Sequence, residues 1–330
     1  MRMPLSLSVR SENWPIAGSF SISRGAKTEA VVVCAEISDG RFRGRGECVP
    51  YARYEETVGG VIAALGGMGN ALARGLDRMA LQTEMPAGAA RNALDCAFWD
   101  LEAKRTGKPA FELAGLPSPH PLTTAYTISL GTPEAMAVAA GKAAARPLLK
   151  IKLGGKDSDP ERIRAIRNAA PQSQLIVDAN EGWNASNLEA NLAACAEAGV
   201  TLIEQPLPTT DDAALSAIKR PIAVCADESV HDRASLQTLV GRYDAVNIKL
   251  DKTGGLTEAL AMANEAQRLG FDIMVGCMVA TSLSMAPAVL LAQRARIVDL
   301  DGPLLLAKDR PEGLRYDGSL VHPPTSTLWG

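Results

Sequence analysis

The chain predicts an α/β barrel fronted by a smaller α+β domain, and three observations carry that prediction. From about residue 123 onward, eight short apolar runs alternate with helix-like segments at spacings in the twenties. Apolar runs bounded by turns read as buried strands, and eight parallel strands close a (β/α)8 barrel. Residues 1–120 carry a different pattern, strands followed by helices, which argues for a separate α+β unit. Finally, no G-x-G-x-x-G opens the first helix of the repeating part, which disfavours an open doubly wound sheet.

In chain order, EAVVVCAEIS (29–38) reads as a strand ending in a turn at Asp39-Gly40. FRGRGECVPY continues it into a Gly-rich bend, and GAARNALDCAFWDLEAKRTG (88–107) is a helix rich in small residues. The barrel strands are TTAYTISL (123–130), LLKIKL (148–153), QLIVDAN (174–180), TLIEQP (201–206), IAVCADE (222–228), DAVNIKL (244–250), FDIMVGC (271–277) and RIVDLDG (296–302). Between them PEAMAVAAGKAAAR, DPERIRAIRNAA and SNLEANLAACAEAG read as helices. Asp159-Pro160 places an N-cap ahead of a proline at the first helical position, and Gly199 and Gly270 fit helix C-termini. After Pro303, LRYDGSLVHPP predicts a hairpin with Asp317-Gly318 at its turn. The tail, 304–330, is expected to pack back on the N-terminal domain, leaving 121–303 as the barrel.

Composition narrows the function. The chain is 47% apolar with a net charge of −3, and no basic stripe is present to neutralise a phosphate backbone, so nucleic acid is excluded as a partner. MRMPLSLSVRSENW lacks the long apolar core of a signal peptide, and no run is long enough to span a bilayer. The expectation is a cytoplasmic protein with no membrane partner. Six scattered cysteines form no C-x-x-C pair, and several of them, lying in apolar runs, read as buried thiols. His120, His231 and His322 have no ligand-spaced neighbour and read as structural.

The chemistry sits at the strand ends. Asp178, Glu204 and Asp227 end three successive apolar runs; Lys150 and Lys152 end the run before them and Lys249 the run after. A charge at the end of a buried strand is costly unless it is paired or binds a metal. Barrel sites form at the C-terminal strand ends, and neighbouring strands lie about 5 Å apart, so carboxylates on strands three, four and five can converge on one ion. Oxygen-only ligation suits Mg²⁺. Strands two and six lie across the barrel mouth, so Lys152 and Lys249 would face each other. Structural ion pairs at a barrel rim are the plainer alternative for any one residue; the ordered set favours the metal site. Lys252, three residues past Lys249, reads as a solvated or loop-bracing lysine.

KIKLGG, VDANEGW, IEQPLP, ADES and NIKLDKTGG, together with GRGECVPY and GAARNALDCAFWDL, resemble the enolase superfamily in its muconate-lactonizing-enzyme subgroup over nearly the whole chain. The resemblance implies a (β/α)7β barrel with an α+β capping domain, one Mg²⁺, and removal of a proton next to a metal-bound carboxylate. It makes Lys152 and Lys249 the two acid/base groups and Lys150 an electrostatic helper. Bases on both faces imply racemisation or epimerisation. Asp299 and Asp301, in DLDGP, resemble the pair by which dipeptide epimerases hold a substrate ammonium group; solvation or pairing with Lys or Arg is the alternative. Arg24, in SFSISRGAKTEA, matches the position of an arginine for a glutamate side chain, with Lys27 near enough to leave the assignment open. Cys277 and Met278 are expected as apolar pocket contacts. The implied function is an L-Ala-D/L-Glu dipeptide epimerase in peptidoglycan-peptide recycling, with a small-molecule dipeptide as partner and a homo-oligomer compatible with the sequence. Muconate cycloisomerase, N-acylamino-acid racemase, o-succinylbenzoate synthase and a non-catalytic ligand-binding barrel are the alternatives. The two aspartates argue against the first three and the opposed lysines against the last.

Overall fold

The computed structural model describes residues 4–154 and 158–330. Residues 1–3 of the N-terminal segment and Gly155 of KIKLGG therefore lie outside the described residues.

A three-stranded antiparallel sheet opens the chain: β1 (Ser6–Ile22), β2 (Gly25–Ser38) and β3 (Arg43–Cys48). The turn at Asp39-Gly40 falls where the sequence puts it, with Asp39 Oδ1 accepting from the backbone of Arg41 and Phe42 and Gly40 at φ +87°. Helices α1 (Val58–Gly67), α2 (Gly69–Ala73), α3 (Arg78–Glu84), α4 (Ala89–Thr106) and α5 (Ala110–Leu113) follow. The small residues of α4 let it lie almost on the backbone of β3: a Cβ at Gly44 or Gly46 would overlap the carbonyl of Ala97 or Ala93. A separate apolar core, including Val33, Ile37, Leu65, Leu94 and Leu101, fills this cap.

After a short β4 (Leu122–Thr123) comes an eight-stranded parallel sheet in sequential order. Its strands are β5 (Tyr126–Ile128), β6 (Leu148–Lys152), β7 (Gln174–Asp178), β8 (Val200–Glu204), β9 (Ala223–Ala226), β10 (Ala245–Ile248), β11 (Asp272–Val275) and β12 (Ile297–Val298). A parallel bridge between Thr124 and Val298, with Ala125 N donating to Val298 O, joins the two ends and closes the barrel. The strand connections carry α6 (Pro133–Lys142), α7 (Asp159–Ala169), α8 (Leu188–Glu197), a 3-10 turn (Asp212–Ser216), α9 (Arg233–Leu239), α10 (Leu250–Thr253) with α11 (Leu256–Arg268), and α12 (Ser282–Ala292). This is the expected (β/α)7β arrangement, with its fourth helix reduced to a 3-10 turn. Gly199 and Gly270 take positive φ just past α8 and α11.

Two local expectations are corrected. Asp159 is the first residue of α7 rather than its N-cap, which is Ser158. The Asp159 carboxylate instead accepts from Gly154 N and Trp183 Nε1, both at 2.8 Å, tying the loop after β6 to the loop after β7. The C-terminal hairpin, β13 (Tyr316–Asp317) and β14 (Leu320–Val321), turns at Gly318-Ser319, one residue later than expected, because Asp317 pairs with Leu320. Its second strand pairs with β4. The extreme tail does reach the cap: Trp329 Nε1 donates to Cys96 O, and Gly330 N donates to Asp100 Oδ1. No helix among the described residues is long and apolar enough to cross a membrane. All six cysteines are free thiols, five of them buried.

Candidate active site

Each charged side chain at the barrel mouth is set by the end of its strand. Side chains alternate along a strand, so Lys150 and Lys152 share the inner face of β6. Parallel register then places Lys152 beside Asp178 and Asp178 beside Glu204. Asp227 follows β9 by one residue and Lys249 follows β10 by one. All six are buried.

The contacts are short. Lys152 Nζ lies 2.6 Å from Asp178 Oδ2, and Lys249 Nζ lies 2.6 Å from Asp227 Oδ2. Lys150 Nζ sits between the chains, 2.6 Å from Glu204 Oε2, 2.7 Å from Asp299 Oδ2 and 3.2 Å from Asp178 Oδ2. Burial works against the charge on Lys150, but Asp299, Glu204 and Asp178 outweigh it and hold its ammonium well above the ordinary lysine range. Burial likewise opposes charge on Lys249, and Asp227 with Glu204 holds it high. Burial raises the acids; Lys152 and Lys150 reverse this at Asp178, and Lys249 and Lys252 reverse it at Asp227, so both stay below the ordinary range. Glu204 is the exception, pushed up to about 7 by burial and then by Asp178.

Oxygens of Asp178, Glu204 and Asp227 all lie within 4.8 Å of one another. Glu204 Oε2 takes no hydrogen bond although Lys150 is close. Three buried carboxylates that converge on one point, with no nitrogen or sulfur donor among them, fit a hard divalent cation such as Mg²⁺. Only Asp227 of the three reaches the wall of the cavity above.

That cavity, of about 760 Å³, lies between barrel mouth and cap. Lys150, Lys152 and Lys249 line it, as do Cys277, Met278, Asp299 and Asp301. Asp299 and Asp301 lie beyond the end of β12, so strand alternation is not what turns them inward; Asp301 caps a short helix, α13 (Gly302–Leu305). Nor is the pair without a cation, since Lys150 already holds Asp299 Oδ2. Asp299 Oδ1 has no partner, and Asp301 accepts from Thr127 N at 2.7 Å. Burial, then Asp299, pushes Asp301 up to about 7. Arg24 is on the cavity wall, at the tip of the β1–β2 hairpin, with its guanidinium bonded to Asn180 O, Glu181, Tyr51 Oη and Glu228.

The expectation of a solvated Lys252 is overturned on that point. It is buried and donates to Asp227 Oδ1 and O at 2.6 Å and to Asn247 O at 3.0 Å. It braces the Asp227 loop from below, and burial lowers its pKa despite Asp227. Sequence reasoning also passed over the residues that hold the acids in place. Gln205 Oε1 accepts from Asp227 N and Ser229 N, while its amide donates to Leu207 O, Ser229 Oγ and Tyr243 Oη. Asn247 Nδ2 donates to Glu204 Oε1 at 2.7 Å. Asn180 and Glu181, two and three residues past Asp178, and Gln205, the residue after Glu204, take positive φ (45°, 64° and 33°), backbone strain of the kind that gathers at functional sites. Polar residues inside IEQP and VNIK were the available signal.

Comparison with known proteins agrees with this architecture. Residues 5–115 match the mandelate racemase / muconate lactonizing enzyme N-terminal domain, and residues 134–327 match the enolase C-terminal domain-like family. The chain belongs to the mandelate racemase / muconate lactonizing enzyme family of the enolase superfamily. Among its relatives, the L-Ala-D/L-Glu epimerase of Escherichia coli is 46% identical over 96% of this chain and 99% of its own length. An N-acetyl-D-glutamate racemase from a Pseudoalteromonas species is 48% identical over 91% of this chain and 95% of its own. A crystal structure of an enolase family member from Agrobacterium tumefaciens, described as homologous to dipeptide epimerases and containing sodium and L-Ala-L-Glu with an ordered loop, superposes with a TM-score of 0.97. It is 57% identical, covering 99% of this chain and 100% of that one.

Proposed function

We propose that the protein is a dipeptide epimerase that inverts the α-carbon of the C-terminal residue of L-Ala-D/L-Glu. The observation that carries this reading is a pair of lysines four strands apart in an eight-stranded ring, Lys152 and Lys249, both lining one cavity beside a buried carboxylate triad. Binding alone calls for no such pair; inversion of a carbon does. Asp178, Glu204 and Asp227 would hold Mg²⁺. A divalent cation there supplies positive charge for the negative charge that develops on the substrate's α-carboxylate. A cation held there would take up the carboxylate charge that otherwise keeps the lysines protonated, so that one lysine, as the neutral amine, takes the α-proton into its Nζ. The other, as ammonium, gives a proton to the opposite face, so the two exchange protonation states with each turnover. Lys150 stays charged throughout and keeps Glu204 and Asp299 neutralised. Cys277 and Met278 supply apolar wall, and Arg24 belongs to the side-chain end of the pocket. Asp301 and the free oxygen of Asp299 would receive the dipeptide's ammonium.

The division into a cap (1–120 with 304–330) and a catalytic barrel (121–303) belongs to the same reading, as does a role in cytoplasmic recycling of peptidoglycan peptides. A second reading, N-acylamino-acid racemase, is favoured by one specific observation: the ion pair of Asp299 with Lys150 leaves less negative charge for an ammonium than two free carboxylates would. The deciding experiment is a library of dipeptides and N-acyl amino acids incubated in D₂O with Mg²⁺ and read by mass spectrometry. One deuterium at the α-carbon of L-Ala-Glu, and none in the acylated set, is the expected result. Labelling confined to the acylated set would overturn the dipeptide reading.

A further inference from the structure

We propose that Asp251, clasped by Asn92 of the cap helix α4, is a positioning residue for Lys249 and not for Lys152, so that the cap governs one of the two proposed bases. The inference rests on the two-base reading and adds to it a difference in how the two lysines are held. Lys152 belongs to a strand ladder. It is the last residue of β6, pairs with Asp178 of β7, and is followed by Leu153, whose N donates to Asp178 O at 2.9 Å. Lys249 stands beyond its ladder. The pairing of β10 with β11 ends at Ile248, and Lys249 heads α10, a helix of four residues. Its carbonyl closes that turn, accepting from Lys252 N at 3.0 Å and from Thr253 N at 3.1 Å. So short a helix has too few backbone bonds to hold itself, and its place is set by tertiary contacts. The Lys249 backbone therefore stands wherever those contacts hold the turn.

Two side chains of α10 make such contacts, one toward the barrel and one toward the cap. Lys252 takes the barrel side, on Asp227 and Asn247 O. Asp251 takes the cap side: its Oδ1 accepts from Asn92 Nδ2 at 2.8 Å and from Val49 N at 3.0 Å. Asp251 and Asn92 are both buried, so bulk water does not compete for these bonds. Neighbouring residues of α4 continue the grip further along. Arg91 gives Nη2 to Thr253 O at 2.7 Å and Nε to Gly254 O at 3.1 Å, and Asp95 accepts from Thr257 N at 3.0 Å. Gly254 and Gly255, at φ +74° and +112°, permit this approach, since a Cβ on either would overlap Arg91 or Asp95. Arg91 and Asp95 thus fix the end of α10 and the start of α11. Asp251, two residues from Lys249, ties the turn to Val49 on the cavity wall. Releasing Asp251 frees the turn at the end where Lys249 stands and leaves the β6 ladder, with Lys152, as it was. A misplacement of about 1 Å can cost 10²-fold in rate.

The test measures initial rates of α-proton exchange in D₂O for L-Ala-L-Glu and L-Ala-D-Glu separately, on the Mg²⁺-loaded protein. The Lys152→Ala and Lys249→Ala enzymes first assign each epimer to its base. Asp251→Ala should then slow exchange of the epimer that depends on Lys249 by roughly 10- to 100-fold, and leave the other at its wild-type rate. Asn92→Ala keeps the Val49 bond and should show the same imbalance to a smaller degree. Asp251→Asn still offers an oxygen to both donors and should return the ratio to that of wild type. Burial pushes the Asp251 carboxyl up to about 7, so below that pH the amide matches it in charge as well as shape. An equal fall for both epimers, an unchanged ratio in Asp251→Ala, slowing of the Lys152-dependent epimer instead, or an imbalance that persists in Asp251→Asn would overturn the assignment. Should Asp251→Ala fail to fold, the ratio in Asn92→Ala decides by the same outcomes. Lysine variants that do not separate the epimers would sink the two-base reading and the inference with it. Lysine variants that separate them, beside an Asp251→Ala that does not, would sink the inference alone.

Discussion

At the scale of single residues, the site is a set of charges that would be prohibitive apart and are stable together. Lys150 touches Asp178, Glu204 and Asp299 within 3.2 Å, and Lys252 holds Asp227 from beneath. Breaking a buried pair leaves an uncompensated charge and costs about 3–5 kcal/mol, so a conservative amide is the informative change at the acids. Asp227→Asn should weaken Mg²⁺ affinity at least about tenfold, read by calorimetry, with turnover lost in parallel. Near-normal activity after EDTA dialysis of the wild type would exclude a metal role altogether. The lysines make a sharper pair of tests. Lys152→Ala and Lys249→Ala should each slow epimerisation by about 10²–10⁴-fold, the usual contribution of a positioned acid or base. Each should still exchange the α-proton of one epimer with solvent deuterium, through the lysine that remains. A Lys249→Ala enzyme that interconverts the L,L and L,D dipeptides at the wild-type rate would remove the two-base scheme.

At the scale of elements, what was legible depended on whether the signal is local. The barrel strands are short, mostly apolar runs bounded by turns, and several end in charge, so all eight were readable; α4 was readable through its run of small residues. β1 was not foreseen, because its 17 residues are largely polar with Pro15 and Gly18 inside, and a register shift interrupts its pairing between Pro15 and Phe20. α1 was hidden by the four glycines of VGGVIAALGG, each unfavourable in a helix, although Thr57 caps it by accepting from Gly60 N. The carboxylate triad was visible because each acid ends its own run. Its supports, Gln205 and Asn247, were not, because they act across strands on residues 22 and 43 positions away. Gly46 offers a test of packing at this scale. Its Cα faces the Ala93 carbonyl with no room for a methyl group. Gly46→Ala should force α4 off β3 and destabilise the cap by about 2 kcal/mol or more, seen as a lower denaturation midpoint. An unchanged midpoint would mean that the helix seat is softer than the backbone contact implies.

At the scale of the whole molecule, the proposed function gives cap and barrel one end of substrate recognition each, and it makes the barrel end sensitive to pH. Asp301 is buried, bonded to Thr127 N, and pushed up to about 7 by burial and then by Asp299. Below that value it is neutral and cannot pair an ammonium; above it the carboxylate is charged. A dipeptide with a free N-terminus should therefore gain kcat/KM as pH rises through about 7, up to the point where its own amine loses its proton. N-acetyl-L-Ala-L-Glu carries no positive charge and should show no such rise from this residue. Removing one partner of a desolvated charged pair costs about 2–5 kcal/mol, so Asp301→Asn should lower kcat/KM for L-Ala-L-Glu by roughly 30-fold or more. The amide oxygen can still accept from Thr127 N, and Mg²⁺ affinity should be unchanged because none of the three candidate ligands touches this residue. Wild type should discriminate strongly against the acetylated dipeptide, and the Asn variant much less. Equal use of both substrates by wild type would put the acyl-amino-acid racemase reading ahead, and a rise with pH that survives in Asp301→Asn would move the titrating group elsewhere in the cavity.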